Sequence, residues 1–371
     1  MLRNYMGIIN LEEKEQDIRS LTANRPIGTV PIGGRFRVID FILSNMVNAG
    51  LTRISVFANK TTRSLQDHLG SGRPWDLDRK TDGLFIFANS LLGSVRESTA
   101  QTFGQAMDFF ARAKQENVII ASSYMIANID LDYLAEQHEA SGADISMVYK
   151  PINDGEKNFL NCDLVKIDKN NRVVNVAKNI GIENNVNVCM EVFFMKKALF
   201  TELLYKAASE GRKGAFKELL YDCILSYQVK ALPFNGYAAC INSVSSFYDA
   251  NMAMLELDVT GELFSHINPI YTKTKDSPPA QYVGDSEVCH AIVADGSLIR
   301  GKVTDSVIFR NVKIEEGAEL DGCIVLPNAR IGKNVKLSNV IVDKGVKVDD
   351  GISVQCPKQY PLVFEKKVYK K

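Results

Sequence analysis

The last third of the chain carries a repeat in its aliphatic residues that restricts its fold. Eight of them recur at intervals of 6, 6, 5, 6, 6, 5 and 6 residues: Ile308, Ile314, Leu320, Val325, Ile331, Leu337, Val342 and Val348. One inward-facing aliphatic residue per short strand, with a turn about every six residues, is typical of a parallel β-helix. An antiparallel sandwich would instead alternate with a period of two. We therefore predict a left-handed parallel β-helix over residues 286–371.

Residues 1–255 show a different pattern, in which short β-branched segments alternate with amphipathic ones. The predicted strands lie at 6–10, 53–59, 117–125 and 143–150, and the predicted helices at 37–50, 61–70, 100–115 and 131–142. This alternation predicts an α/β, Rossmann-like domain with a mostly parallel sheet and helices on both faces. Residues 163–179 predict a β-hairpin that turns at 169–171.

Length and proline content indicate two domains. A chain of 371 residues exceeds what one compact core usually organises. Residues 256–285 are irregular and contain Pro269, Pro278 and Pro279. We predict that they form a linker between the two domains.

Composition argues against several classes of function. The 44 basic and 44 acidic residues give a formal net charge of zero, so we expect neither nucleic acid nor an anionic membrane as the main partner. No apolar run approaches the roughly 20 residues that span a bilayer, and the N-terminus lacks the apolar region of a signal peptide. Seven scattered cysteines without a CxxC pair predict neither a zinc site nor disulfides. We expect a cytoplasmic protein.

The strongest motif lies between Leu11 and Phe41. Its second half carries Leu21, Thr22, Arg25, Gly33, Gly34, Arg37, Ile39, Asp40 and Phe41 in the pattern LTxxR…GGxxRxIDF. In this pattern the chain resembles the sugar-nucleotide pyrophosphorylases, and it is similar over essentially its full length to the ADP-glucose pyrophosphorylases of bacterial glycogen synthesis. The resemblance implies a nucleotidyltransferase fold and a tetrameric enzyme that makes ADP-glucose from ATP and glucose 1-phosphate.

The resemblance also implies where phosphate and Mg²⁺ would bind, and this chain departs from the family there. The family's GGxGxR phosphate loop reads EEKEQD, which puts Asp17 at the position of the catalytic arginine. Glycines let backbone N–H groups approach phosphates, whereas acidic side chains repel a triphosphate. The family's two Mg²⁺ carboxylates correspond to Ser123 and Cys240, which are poor ligands for this hard cation.

The sugar-phosphate pocket departs from the family as well. The family's VEKP reads VAKN, so Ala177 replaces the glutamate and Lys178 retains the lysine. The family's SMG reads Cys189-Met190-Glu191. Because loss of one transition-state contact typically costs about 10²–10³-fold in rate, the combined losses predict a chain without catalytic residues.

Regulation and assembly remain as roles. Arg25 and Arg37 align with family arginines that help to hold an anionic metabolite, although two neighbouring family lysines are Asn24 and Ile27 here. Both arginines are candidate effector ligands, with ion pairs to acids of the β-helix as the alternative. The resemblance implies a non-catalytic subunit in a heterotetramer with a catalytic partner, or self-association. We expect no cofactor or metal in this chain and Mg²⁺ in the partner.

Two other interpretations stay open at this point. The chain is an active nucleotidyltransferase if shifted acids such as Asp130 or Asp132 serve as metal ligands. It is a β-helix acyltransferase if a histidine on the coil acts in catalysis, and His290 is the only candidate.

Overall fold

The computed structural model describes residues 1–13, 15–58, 63–88, 106–212 and 215–366. Within these ranges the strands are β1 Tyr5–Leu11, β2 Pro31–Ile32, β3 Phe36–Arg37, β4 Arg53–Ala58, β5 Gly83–Ala88, β6 Asn117–Ser122, β7 Met125–Ala127, β8 Ile145–Ile152, β9 Asp163–Ile167, β10 Val173–Lys178, β11 Val186–Lys196, β12 Val229–Pro233, β13 Ala238–Cys240, β14 Gln281–Tyr282, β15 Glu287–Val293, β16 Leu298–Ile299, β17 Lys302–Ile308, β18 Lys313–Ile314, β19 Glu319–Asp321, β20 Ile324–Val325, β21 Arg330–Ile331, β22 Lys336–Ser338, β23 Val340–Val342, β24 Lys347–Val348, β25 Ser353–Gln355 and β26 Leu362–Phe364. The α-helices are α1 Arg19–Thr22, α2 Val38–Asn48, α3 Arg63–Leu69, α4 Met107–Ala111, α5 Leu131–Ser141, α6 Lys197–Ser209, α7 Phe216–Asp222, α8 Val244–Ala253 and α9 Leu257–Leu263.

The chain packs into two compact units whose segments alternate along the sequence. The first unit comprises Met1–Glu13, Ile39–Cys240 and Phe264–Tyr271. The second comprises Lys14–Val38, Ile241–Leu263 and Thr272–Lys371. The boundary predicted at residue 255 lies inside the middle segment of the second unit, and the division at 255 and 285 stays a prediction.

The first unit is built on a sheet whose central strands run parallel. The strand order is β10-β9-β11-β6-β1-β4-β5, and β8 joins β11 to β12. Strands β6, β1, β4 and β5 are parallel neighbours, and β11 pairs antiparallel with β6. All but one residue of β1 are buried, as expected for a parallel strand covered on both faces. The predicted α/β class is confirmed.

Local sequence explains how the first unit's elements begin and end. Helix α5 begins after Asp130, whose side chain accepts the N–H of Tyr133, and it ends at Gly142 in the left-handed conformation. Strands β9 and β10 form the predicted hairpin, and Asp168 accepts two backbone N–H bonds in its turn. The predicted helices at 61–70 and 100–115 correspond to α3 and α4, while their residues 61–62 and 100–105 lie outside the described residues.

The second unit contains the predicted parallel β-helix. Most of its strands pair in parallel with strands 17 residues later, for example Lys313 with Arg330 and Arg330 with Lys347. This offset equals one 6-6-5 set of the aliphatic repeat. The offset is 15 residues between β15 and β17 and 22 between β23 and β26. The eight repeat residues all point into the coil and are at most 3% exposed. The spacing therefore predicts both the coil and its register.

The corners of the coil require left-handed backbone. Asn311, Asn328, Asn334 and Asn339 have φ between 54° and 63°. Among non-glycine residues, asparagine tolerates this conformation comparatively well because its short side chain forms local hydrogen bonds. Successive corners also bond to each other, since the amide of Asn311 donates to Asn328 and that of Asn339 to the carbonyl of Cys356.

We predict that backbone conformation, rather than side-chain contact, is what Asn334 contributes. Its φ is 55°, so Asn334→Ala is expected to destabilise the protein by about 1 kcal/mol more than Asn334→Gly. Both changes remove the side-chain amide of Asn334. Of the two replacement residues, only glycine adopts a positive φ without steric cost. Denaturant midpoints of the two variants test this, and equal midpoints would contradict it.

Candidate functional site

One part of the candidate site lies where β1 and β6 end side by side. Strand β1 is followed by Glu13, and β6 by Ser123, which is fully buried. The backbone N–H and the hydroxyl of Ser123 donate to the same carboxylate oxygen of Glu13, over 2.8 and 2.6 Å. The carboxyl ends of parallel strands are the usual ligand-binding edge of an open α/β sheet. A glutamate of the altered phosphate loop is bonded at this edge.

The environment of Glu13 disfavours a further negative charge. Burial raises the pKa of Glu13 to about 7, even though the hydrogen bonds from Ser123 favour its charged form. The nearby charge of Glu191 contributes to this rise. A polyphosphate would meet a desolvated acidic edge here rather than a row of backbone N–H donors.

The second metal position is also engaged in a local contact. Cys240 is buried at the end of β13, and its thiol shares a hydrogen bond with Cys162. This hydrogen bond, followed by burial, raises the pKa of Cys162. Mg²⁺ prefers oxygen ligands, carboxylates above all, so the sulfur atoms do not suit that ion, and the Ser123 hydroxyl already donates to Glu13. In the described parts of the chain, no three histidine, cysteine, aspartate or glutamate residues form a group suited to a metal.

Four ionised side chains gather beside the predicted sugar-phosphate residues. The ammonium of Lys217 lies 2.5 Å from a carboxylate oxygen of Glu191 and 2.8 Å from one of Asp163. Lys178 forms an ion pair with the other oxygen of Asp163. Asp163 and Glu191 are only 3% and 5% exposed. We call these four residues the neutral cluster, because two cations balance two anions.

Two tyrosines complete the hydrogen bonding of the neutral cluster. The hydroxyl of Tyr124 donates to Glu191 over 2.7 Å, and that of Tyr221 donates to Asp163 over 2.9 Å. Burial, followed by neighbouring negative charge, raises the pKa of both tyrosines, which therefore stay protonated donors. Each buried carboxylate thus has several partners, the condition under which a buried charge is tolerated.

Backbone geometry indicates that Glu191 stands at a glycine-like position. Its φ is +51°, and the corresponding family residue in SMG is glycine. A left-handed conformation costs a residue with a Cβ roughly 1–2 kcal/mol. The contacts of the Glu191 side chain with Lys217 and Tyr124 offset this strain.

The pKa shifts within the neutral cluster agree with mutual stabilisation of its charges. Burial alone would raise the pKa of Asp163, but Lys217 and Lys178 lower it. Burial alone would lower the pKa of Lys217, but Glu191 and Asp163 raise it. The charges of Asp163 and Lys217 therefore persist at neutral pH. By contrast, burial raises the pKa of Cys189 to about 12, so this thiol stays neutral.

The remaining predicted residues lie apart from these contacts. Ala177 is exposed on β10, and Asp17 is exposed in the 3-10 helix Gln16–Ile18 of the second unit. Asp130 caps helix α5, and Asp132 in its first turn pairs with the N-terminal amine. The carboxylates of the shifted-acid interpretation are thus engaged at a helix N-terminus.

His290 begins the coil in an exposed corner. Its Nδ1 lies 2.5 Å from a carboxylate oxygen of Asp305, and this hydrogen bond raises the pKa of His290. A raised pKa makes this histidine a less suitable general base for acyl transfer, and one ring nitrogen is already engaged with Asp305.

The two predicted effector arginines differ in their surroundings. The guanidinium of Arg25 donates to the carbonyl of Leu21 and forms an ion pair with Asp343, with both side chains largely buried. For Arg25 this matches the alternative of an ion pair to the β-helix. Arg37 lies near two lysines of the second unit, since after burial it is the largest cause of the lowered pKa of both Lys275 and Lys344.

Further cations of the second unit extend this region. Arg310 and Lys273 also lower the pKa of Lys275, after burial, Arg37 and Lys344, and Arg35 contributes to the lowered pKa of Arg310. Arg310 is 7% exposed, and its buried Nε has no hydrogen-bond partner. We call Arg35, Arg37, Lys275, Arg310 and Lys344 the basic cluster. An anion bound there would relieve the repulsion within it.

Sequence reasoning missed most of both clusters. Asp163 was detectable, since a hairpin centred on residues 170–171 places it opposite Lys178, and the structure has this register. Lys217, Tyr124 and Tyr221 come from other elements and carry no local signal. The same is true of Lys275, Arg310 and Lys344, which only the coil brings near Arg37.

Comparison with known proteins identifies two families that match parts of this chain. Residues 17–177 match the nucleotidyl transferase family, and residues 278–359 match the GlmU-like C-terminal hexapeptide family. A glucose-1-phosphate adenylyltransferase of Bacillus cytotoxicus is 26% identical over 96% of each chain. In the described residues no helix is both long and apolar enough to cross a membrane, and a cytoplasmic location stays a prediction.

Two further relatives share a single name. The glycogen biosynthesis protein GlgD of Bacillus subtilis is 31% identical over 99% of this chain and 97% of its own length. The GlgD protein of Geobacillus stearothermophilus is 32% identical over 86% and 83%. The identity spans both the nucleotidyltransferase part and the hexapeptide coil, and the chain therefore belongs to the GlgD family of glycogen biosynthesis proteins.

Proposed function

We propose that this chain is a catalytically inactive, regulatory subunit of glucose-1-phosphate adenylyltransferase, the ADP-glucose pyrophosphorylase of glycogen biosynthesis. It acts in a heterotetramer with a catalytic subunit that supplies the Mg²⁺ site and the glycine loop. The observation that carries the proposal is the neutral cluster, in which the retained Lys178 is already paired with Asp163.

The neutral cluster competes with substrate for its own cations. A sugar phosphate that recruited Lys217 would leave Glu191 buried without its counter-ion, and one that recruited Lys178 would leave Lys217 to balance both carboxylates. Uncovering one partner of a buried ion pair typically costs about 3–5 kcal/mol. A phosphate contact of ordinary strength does not recover this cost, so substrate binding is disfavoured.

The phosphate-binding and metal-binding edge supports the same conclusion. Glu13 accepts both hydrogen bonds from Ser123 where a metal carboxylate would be needed. The thiol of Cys240 is engaged with Cys162. Nucleotidyl transfer depends on electrostatic stabilisation of phosphoryl oxygens, and these residues offer none.

The basic cluster supports a regulatory role. Its positive charges raise the free energy of the unliganded protein, which is a cost retained where function requires it. An effector acts only through different affinities for two states of the assembly. A phosphorylated metabolite is the chemical class that five clustered cations fit best.

We predict that the purified chain alone makes no ADP-glucose from ATP, glucose 1-phosphate and Mg²⁺. The reason is the engaged state of Ser123, Cys240 and Lys178. The co-expressed pair should be active, and should lose activity when the partner's metal carboxylates are changed to asparagine. Turnover by this chain alone on the order of 1 s⁻¹, which is ordinary for an enzyme, would refute the inactive assignment.

A second prediction concerns pH. The folded-state pKa of Glu13 is raised from 4.5 to about 7, so the folded state binds the proton more tightly than the unfolded state does. Its stabilising contribution is complete below about pH 4.5 and is lost as pH rises through about 7. Denaturation between pH 5 and 8 should show a decline in stability that Glu13→Gln reduces. A variant with the same slope as the parent protein would contradict the assignment.

The third prediction tests whether Lys344 of the basic cluster binds the effector. Lys344→Gln should increase the effector concentration for half-maximal response of the heterotetramer by roughly 5-fold or more. Its thermal midpoint without effector should not fall, because the change relieves repulsion from Arg37. Lys347→Gln is the matched control, since Lys347 is exposed on the same coil and pairs with Asp349. Equal responses of the two variants would remove Lys344 from the effector site.

A further inference from the structure

A cleft lies in the first unit at the amino ends of the parallel strands, apart from the candidate functional site. It has a volume of about 540 Å³ and is lined by Arg3, Thr52, Arg79, Asp82 and Gln115, among others. A neighbouring cavity of about 270 Å³ shares Thr52 and Arg79 with it. Both volumes together suit a small ligand. Since Glu13 and Ser123 lie at the carboxyl ends of β1 and β6, this cleft belongs to the opposite edge of the sheet.

Gln115 provides the first sign that the cleft is built for a ligand. The residue is 5% exposed, yet its side-chain oxygen has no hydrogen-bond partner. A buried acceptor without a donor typically costs about 1–3 kcal/mol. Gln115 lines the cleft, so a ligand hydroxyl within it can supply the missing donor.

Two other polar side chains of the cleft can also form hydrogen bonds with a ligand. The hydroxyl of Thr52 donates to Asp82 over 3.1 Å, which leaves its oxygen as a second acceptor. Arg79 pairs with Asp76 through one nitrogen and donates Nε to the carbonyl of that residue, so its remaining N–H groups are available as donors.

The charge balance of the cleft is positive. Asp82 is compensated by Arg53 at 3.4 Å, and Arg79 by Asp76. Arg3 lines the cleft and forms no ion pair with any residue that the structure describes. One cation therefore remains, together with two acceptors that need hydroxyl donors.

We propose that this cleft binds a small hydroxylated anion of the sugar-phosphate or sugar-acid class. Arg3 and Arg79 hold the phosphate or carboxylate group, and the Gln115 and Thr52 oxygens accept hydrogen bonds from the sugar hydroxyls. The site lies apart from the residues that carry the proposed regulatory function, and it stands or falls independently of that function.

The test uses four probes on the purified full chain: glucose 6-phosphate, gluconate, glucose and inorganic phosphate. Titration calorimetry should detect glucose 6-phosphate or gluconate, or both, and show which of the two acids is preferred. Glucose and inorganic phosphate should bind at least about tenfold more weakly. Glucose lacks the anionic group, and inorganic phosphate lacks the sugar hydroxyls. Inorganic phosphate binding as tightly as the sugar acids would overturn the proposal.

Substitutions of cleft residues test whether the ligand binds in this cleft. Arg3→Gln and Gln115→Met should each weaken binding about tenfold or more. Gln115→Met should not lower the thermal midpoint without ligand, because it removes an unsatisfied buried oxygen. The control Arg63→Gln changes an exposed arginine outside the cleft and should bind like the parent protein.

The variant Lys344→Gln distinguishes binding in the cleft from binding at the basic cluster. This variant should keep its affinity for glucose 6-phosphate or gluconate if the cleft is the site. Loss of affinity in Lys344→Gln with retention in Arg3→Gln and Gln115→Met would overturn the proposal and assign the ligand to the second unit. Absence of binding by both acids would also overturn it, while leaving the inactivity and effector predictions untouched.

Discussion

The first unit depends on the contact of the Lys217 ammonium with two buried carboxylates. Asp163 and Glu191 come from different strands and are almost fully enclosed. Neither is tolerable there without a cation, because an unpaired buried charge costs several kcal/mol. The positions of Tyr124 and Tyr221 follow from the same requirement, since each supplies a hydrogen bond that the carboxylates need. The two buried carboxylates thus have their charge balanced within the first unit by Lys217 and Lys178.

The second unit has the opposite electrostatic character. Burial and then the charge of Arg37 lower the pKa values of Lys275 and Lys344, Lys344 also lowers that of Lys275, and Arg310 is buried with an Nε that has no hydrogen-bond partner. Like charges held together by a rigid coil are an unfavourable arrangement in isolation. The chain thus combines one charge cluster that is complete by itself with another that an anion would complete. This division supports the proposed role as a regulatory subunit without catalytic chemistry of its own.

The β-helix makes that second arrangement possible. A 17-residue coil stacks residues of successive turns in register, so cations far apart in sequence become neighbours. The corners tolerate few residue types, because their backbone φ is positive at the asparagines and glycines that form them. Lys344 of the basic cluster lies in one of these turns, next to Gly345, whose φ is 71°.

The sequence alone determined the architecture of both units. The aliphatic spacing specifies the coil, since one buried residue per short strand allows no other register, and the βα alternation specifies the parallel sheet. The family resemblance predicts that Ser123 and Cys240 occupy the Mg²⁺ positions, where a hydroxyl and a thiol are poor ligands. Only the tertiary structure shows what these and the neighbouring side chains contact. Lys217 reaches Glu191 and Asp163 through the packing of α7 against the sheet, and the unpartnered oxygen of Gln115 is a property of its surroundings. Such contacts join residues distant in sequence, and no local periodicity or propensity encodes them.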